Sequence, residues 1–162
     1  MYTVYLAGTI SSNPETYEWR KRVREFFAYS PDYNQHITII DPCQSKWNKK
    51  LLAHAQGEDR TFKELVFGQS GRSLLAHKDR QHVKQSTVAF VNMNPGSSEK
   101  PSIGTIFELA WCFDDPSKMV VGIHEDPEND FRCQHPFVQE TVHVWVKDEI
   151  EACKLLIKFM DI

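Results

Sequence analysis

The sequence lacks features that would point to several classes of protein. Its 162 residues contain no apolar run long enough to span a membrane and no repeated or low-complexity segment. Lys and Arg number 19 against 22 Asp and Glu, for a formal charge of −3, and the charges are interspersed without the basic stripe of a nucleic-acid binder. The composition argues against a membrane or a nucleic-acid polymer as a partner.

Cysteine is also scarce. The four thiols form no CxxC pair, and scattered thiols are typical of reduced packing residues in an intracellular chain; they are Cys43, Cys112, Cys133 and Cys153. The chain starts with a strand-like segment and without the basic and apolar regions of a signal peptide. We therefore predict a cytoplasmic protein with four free cysteines.

Motifs for metal, dinucleotide and serine-hydrolase chemistry are missing. The seven histidines and four cysteines show no recurrent ligand spacing. The turn after the first strand has one glycine instead of GxGxxG, and no GxSxG elbow occurs at a strand-to-helix turn. The sequence predicts chemistry without a metal or an organic cofactor.

Strand and helix signals alternate and predict one α/β domain over residues 1–162. Strands are expected at 3–7, 37–40, 88–91, 119–123 and 141–146. Helices are expected from Pro14 to Ser30, at 72–84, at 104–113 and at the C-terminus, with a blurred region at 43–71 and a short helix around 62–67. The apolar strands predict a doubly wound, mostly parallel five-stranded sheet of Rossmann or flavodoxin-like type, covered by helices on both faces.

The segment from Gly104 to Glu108 carries the strongest functional signal. It places a carboxylate one turn inside a helix that begins at a glycine after a strand. That position favours the ionised form, which a nucleophile needs, although an acid placed only for the helix dipole fits as well. The apolar positions expected to face the sheet are Ile106, Leu109, Ala110 and Phe113.

Other polar positions follow the strands at the sheet edge where open α/β folds bind ligands. The first strand leads to Gly8, Thr9 and Ser11, where helix capping is the alternative. The second leads to Gln44 and Trp47, which are placed to contact a ligand, although core packing fits Trp47 at least as well. Taken alone, Tyr5 in the first strand fits a packing residue, and Asp79 fits a surface ion pair.

Together these segments resemble the nucleoside 2-deoxyribosyltransferase family over nearly the whole chain. The matching features are the opening strand 4–8, Asp79 before the third strand, the glycine-to-glutamate signature 104–109 and the segment 135–138. The resemblance implies that Glu108 attacks C1′ of the sugar and that Tyr5 hydrogen-bonds and orients Glu108. It also implies that Asp79 assists proton transfer to the departing base. An ionised carboxylate and a second acid suit cleavage through an oxocarbenium-like state.

The resemblance also implies substrates and partners. They are a small-molecule deoxynucleoside or deoxynucleotide, a free nucleobase and further copies of the chain. In such a homo-oligomer, a dimer or higher, a neighbouring subunit would complete each site, with Gln134 or His135 as the contributed residue. Gly104 and Thr105 are expected to contact substrate at the start of the glutamate helix.

One position departs from the transferases. Six residues before Glu108 they usually carry an aspartate, but this chain has Ser102, which is similar to the related 2′-deoxynucleoside 5′-monophosphate N-hydrolases, where a serine helps to hold the phosphate. Ser11 and Ser12 could add donors, yet the first loop lacks the arginine and paired glycines of those hydrolases. Transfer between bases and hydrolysis of a monophosphate both stay open, and a non-catalytic nucleotide sensor is the third alternative.

Overall fold

The computed structural model describes residues 1–10, 14–44, 69–94 and 102–160. The strands are β1 (Tyr2–Gly8), β2 (Ile37–Ile40), β3 (Val88–Asn92), β4 (Met119–Ile123) and β5 (Val144–Val146). The helices are α1 (Glu15–Ala28), α2 (Pro31–Asn34), α3 (Gln69–Gln85), α4 (Ile103–Phe113), α5 (Pro136–Thr141) and α6 (Glu149–Met160), with a 3-10 turn at Pro42–Gln44.

All five strands are parallel and follow the order β2-β1-β3-β4-β5. β1 is paired with β3 from Val4 opposite Val88 to Gly8 opposite Asn92. Because β1 and β3 are adjacent while their following helices cover opposite faces, the strand order switches between them, and a crevice opens at their carboxyl ends. The predicted doubly wound five-stranded sheet is confirmed.

Alternation along β1 divides the core into two layers. Val4 and Leu6 face the layer of α1 and α6, whereas Tyr5 and Ala7 face the layer of α3, α4 and α5. All four side chains are fully buried. The position of Tyr5 inside the sheet therefore places its ring on the same side as α4.

The predicted orientation of α4 is wrong for three of its four apolar positions. Leu109 is buried, but Ile106 and Phe113 are 43% and 59% exposed and Ala110 is exposed. The buried residues of α4 are Thr105, Glu108, Leu109 and Cys112. They share the i, i+3, i+4, i+7 spacing of the predicted stripe. Because apolar residues lie on all sides of the helix, the periodicity could not show which face is buried.

The predicted start of the fifth strand is also wrong. Residues 136–141 form α5, with Pro136 at its first turn, and β5 begins only at Val144. Proline is favoured at a helix start, and the Thr141 hydroxyl bonds back to the carbonyl of Phe137, four residues earlier. The helix expected around 62–67 lies outside the described residues.

The four cysteines are free and buried. Among the described residues, none of the helices combines the length and the apolar character needed to cross a membrane.

Candidate active site

Tyr5 and Glu108 meet at the carboxyl end of the sheet. The Tyr5 hydroxyl donates a hydrogen bond of 2.5 Å to Oε1 of Glu108, across 103 positions of sequence. Tyr5 is fully buried and Glu108 is 8% exposed. A short bond to a carboxylate in a dry site fixes the orientation of the acid. β1 and α4 therefore deliver one preorganised pair.

Burial governs the acidity of Glu108. Loss of solvation is the largest cause and raises its pKa to about 8; the Tyr5 hydrogen bond lowers the pKa, and the negative charge of Asp79 raises it. The expectation that the helix dipole favours the ionised form is not met, because burial outweighs the favourable contacts. The same burial, together with the charge of Glu108, raises the pKa of Tyr5 well above its usual range, so its hydroxyl stays a donor.

Asp79 joins this pair from α3. Its charge raises the pKa of both Tyr5 and Glu108. Burial raises the pKa of Asp79 to about 6, while the charge of Lys78 lowers it. Within the described part of the chain, Oδ1 of Asp79 has no hydrogen-bond partner although it is buried. Asp79 is half-buried, and its charge acts on both Tyr5 and Glu108, so it is not a fully solvated surface acid.

Gly8 closes the site from the end of β1. A hydrogen bond from its backbone lowers the pKa of Glu108. A Cβ at this position would lie 3.2 Å from the carbonyl oxygen of Asn92 and 3.2 Å from the ring of Trp19, and φ is +157°. Glycine is therefore needed here for the close approach of β1 to β3 and α1.

Arg20 is a site residue that sequence reasoning missed. It is fully buried on α1, and Nη2 donates to the Gly8 carbonyl at 2.9 Å. Its positive charge lowers the pKa of Glu108. The sequence held one signal: Arg20 is spaced three and seven residues before Val23 and Phe27, and so lies on the buried face of α1.

The start of α4 presents hydroxyl groups and an uncovered glycine. Ser102 is half-buried before the helix, and its Oγ is hydrogen-bonded to Oγ1 of the buried Thr105. Gly104 is exposed, and a Cβ there would meet no atom of the described residues within 4 Å. Neither backbone strain nor packing against the described residues therefore requires glycine at this position.

Two of the remaining predicted binding residues, Thr9 and Gln44, lie in the described part of the chain. Thr9 is half-buried, and its carbonyl accepts a 3.4 Å hydrogen bond from Arg20. Gln44 ends the turn after β2 with an exposed side chain. Ser11 and Trp47, like Ser12, lie outside the described residues. Whether Gln44 contacts a substrate base stays a prediction.

A second polar cluster lies after β4. The potential ligand atoms of His124, Asp130 and Cys133 are within 4.8 Å of one another. However, Nδ1 of His124 accepts the backbone N–H of Asp126 at 3.0 Å, so the neutral ring carries its proton on Nε2, which faces Asp130 at 3.2 Å. A metal on Nε2 would require a protonated Nδ1 opposite that N–H. Burial also raises the pKa of the Cys133 thiol to about 11.

Arg132 links this cluster to the end of β3. It forms an ion pair with Asp130 through Nη2 at 2.5 Å, and the same nitrogen donates to the Met93 carbonyl at 3.1 Å. Oδ1 of Asn94 accepts the backbone N–H of Glu125 at 3.0 Å. These bonds tie the end of β3 to the segment after β4. The donor set suits a hydrogen-bonded brace better than a metal site.

An exposed apolar surface borders the site on the outer side of α4. It consists of Ile103, Ile106, Phe107 and Phe113 of α4 together with Phe137 of the adjoining α5. Phe107 and Phe137 are 57% and 77% exposed. Gln134 and His135 are exposed just before α5. Large exposed apolar patches are typical of interaction surfaces.

Fold and site together define a class: a doubly wound α/β protein with a buried tyrosine–glutamate pair at the switch in strand order. Residues 1–127 match the family model described as nucleoside 2-deoxyribosyltransferase like. The chain therefore belongs to the nucleoside 2-deoxyribosyltransferase-like family, as the sequence predicted.

Structural comparison agrees at the level of fold. A 2-deoxyribosyltransferase from the psychrotolerant bacterium Bacillus psychrosaccharolyticus is similar with a TM-score of 0.59 and 15% sequence identity. The similarity covers 93% of this chain and 89% of that enzyme. No curated protein matches the sequence.

Proposed function

We propose that this protein is a nucleoside 2′-deoxyribosyltransferase that works through a covalent deoxyribosyl-Glu108 intermediate. The observation that carries the proposal is the 2.5 Å hydrogen bond from Tyr5 to the buried carboxyl of Glu108, with the charge of Asp79 acting on both groups. A nucleotide sensor would have no need for a buried nucleophile, an orienting hydroxyl and a second acid in one place. Membership of the family supports the same chemistry.

The reaction consists of two displacements at one carbon. The Glu108 carboxylate forms a bond to C1′ as the glycosidic C1′–N bond breaks, and the departing base takes a proton that Asp79 supplies. A nitrogen of a second base then attacks C1′, breaks the ester to Glu108 and returns its proton to Asp79. Tyr5 keeps the carboxylate aligned in both steps. The enzyme and its proton count are restored after each turnover.

Proton sharing sets the pH dependence of this scheme. With pKa values of about 8 for Glu108 and about 6 for Asp79, the two acids together hold about one proton near neutral pH. The higher pKa of Glu108 puts that proton mainly on Glu108, so the productive arrangement, with the proton on Asp79 and the charge on Glu108, is the minor one-proton form. Both groups titrate as a pair, so kcat/KM is expected to follow a bell with limbs near 6 and 8.

The first prediction concerns Glu108 itself. Glu108→Gln keeps the volume of the side chain but cannot form the glycosyl ester, so turnover should fall at least ~1000-fold. Exchange of radiolabelled base between deoxynucleosides, read by chromatography, measures it. Glu140→Gln, on the exposed face of α5, is the matched control and should keep wild-type activity. Turnover in Glu108→Gln within tenfold of wild type would contradict the nucleophile assignment.

The second prediction concerns Asp79. Asp79→Asn should lower kcat by ~100-fold, because the departing base no longer receives a proton, and should remove the alkaline limb of the pH profile. Steady-state rates from pH 5 to 9 check both effects, with the exposed Asp114→Asn as control. A retained bell with a change of only a few-fold would return Asp79 to a structural role.

Hydrolysis of a 2′-deoxynucleoside 5′-monophosphate is the second candidate function, and Ser102 favours it. Its hydroxyl and that of Thr105 lie at the N-terminal end of α4, beside the uncovered Gly104. A helix N-terminus with hydroxyl donors accepts a phosphate well, whereas an aspartate there would repel it. In this case water, instead of a second base, would release the sugar from Glu108.

The third prediction separates these substrates. If Ser102 binds a phosphate, Ser102→Asp should weaken use of deoxynucleoside monophosphates by ~100-fold and leave deoxynucleosides nearly unchanged. If the chain is a nucleoside transferase, the same change should preserve or improve nucleoside turnover. Kinetics on deoxycytidine, deoxyadenosine and their monophosphates, with and without a second base, measure both. Ser102→Ala is the uncharged control, and equal losses on all substrates would exclude a phosphate role.

We also propose a homo-oligomer formed through the exposed face of α4. The fourth prediction is that sedimentation shows a dimer or larger species and that Phe107→Lys shifts it toward monomer with loss of turnover, because a charge cannot be buried there without a partner. Phe159→Lys on α6 has a similarly exposed phenylalanine, 58% against 57%, and is the matched control. A monomeric wild type with full activity would refute shared sites.

A further inference from the structure

Arg20 has no exposed surface, which is unusual for an arginine on a helix. A guanidinium removed from water is tolerated only when it is paired and hydrogen-bonded. Three of its bonds go to main-chain carbonyls at the β1–α1 turn: Gly8 at 2.9 Å, Thr9 at 3.4 Å and Thr16. Arg20 thus holds both ends of the connection between β1 and α1.

The acidic partner of Arg20 is shared. Nε lies 3.8 Å from Oδ1 of Asp41, whose other oxygen is bound by Arg24 of the same helix. Oδ1 of Asp41 also accepts the backbone N–H of Cys43 at 2.8 Å. One carboxylate therefore faces two guanidinium groups, and a net positive charge remains beside the carboxyl end of the sheet.

Glu108 lies within reach of that charge. Gly8 connects the two groups directly, because its carbonyl accepts from Arg20 while its backbone hydrogen-bonds Glu108. The positive charge lowers the pKa of Glu108 and of Tyr5.

Four further titratable groups act on Glu108 or are acted on by it. They are Tyr5 of β1, Asp79 of α3, Cys43 after β2 and Cys112 of α4. All four are neutral or negative, so among the described residues Arg20 is the cation whose charge acts on Glu108.

We propose that Arg20 is the positioning residue of this site: its guanidinium holds the Gly8 and Thr9 carbonyls at the end of β1, beside Glu108, and supplies the positive charge that opposes the burial of the carboxylate. Two separable effects follow. The planar guanidinium group can hold several carbonyl groups in a fixed arrangement, which the ammonium group of lysine cannot reproduce. The positive charge is common to arginine and lysine. The effect on rate rests on the proposed function, but the effect on ionisation does not.

The experiment reads Glu108 without substrate. Carboxyl-¹³C glutamate is incorporated into wild type, Arg20→Gln, Arg20→Lys and Arg24→Gln, and Glu108→Gln identifies the resonance. In Arg20→Gln the pKa of Glu108 should rise by about one pH unit, and in Arg20→Lys it should stay near wild type. Arg24→Gln loses the same Asp41 partner without touching Gly8, and should also stay near wild type.

Kinetics on the same proteins test the positioning effect. Arg20→Lys should lose ~10-fold or more in kcat with KM little changed, since the charge remains and the fork is lost. A wild-type kcat in Arg20→Lys, or an unmoved titration in folded Arg20→Gln, overturns the proposal. If Arg20→Gln does not fold, Arg20→Lys decides alone through kcat. If wild type shows no glycosyl transfer, the proposed function fails, while the titration still tests Arg20.

Discussion

A carboxyl group almost removed from water needs support on several sides, and the architecture around Glu108 provides it from separate elements. β1 supplies the Tyr5 hydroxyl and the Gly8 backbone, and α1 supplies the charge of Arg20, whereas the negative charge of Asp79 on α3 raises the pKa of Glu108. Loss of solvation still dominates, since the pKa of Glu108 stands at about 8. None of these supports is local in sequence to Glu108, so the group can exist in this state only in the folded sheet.

The strictest requirement falls on the register of β1. Side chains alternate along a strand, so a slip of one residue would put Tyr5 into the layer of α1 and α6 and leave Glu108 without its donor. Pairing on both sides of β1, with β2 and with β3, opposes such a slip. The close approach at Gly8, where a Cβ would meet Asn92 and Trp19, fixes the same end of the strand. The same register of β1 is therefore required for the packing of the core and for the geometry of the site.

The sequence predicted the strands and helices that follow from hydrophobic periodicity. It failed for the features that depend on tertiary contacts. β-branched runs located the strands because buried parallel strands have little else in their composition. The position of α4 in the chain was predicted correctly, but its buried face was not. Apolar residues lie on all sides of this helix, and the face that is buried includes Thr105 and Glu108. Arg20 was missed because arginine is usually exposed and because carbonyl partners leave no pattern in a sequence. The brace of His124, Asp130 and Arg132 depends on a turn geometry that spacing alone does not reveal.

Burial that makes Glu108 a weaker acid also suits the proposed covalent step. An ionised carboxylate in a dry site is destabilised relative to water, and bond formation to C1′ removes the charge by converting it into an ester. The field of Arg20 limits that destabilisation, so that the ionised form remains accessible near neutral pH. Asp79 works in the opposite direction, because its negative charge raises the pKa of Glu108 until Asp79 itself holds the proton. Protonation of Asp79 thus favours ionisation of Glu108, and one proton movement prepares both the nucleophile and the acid for cleavage of the same glycosidic bond.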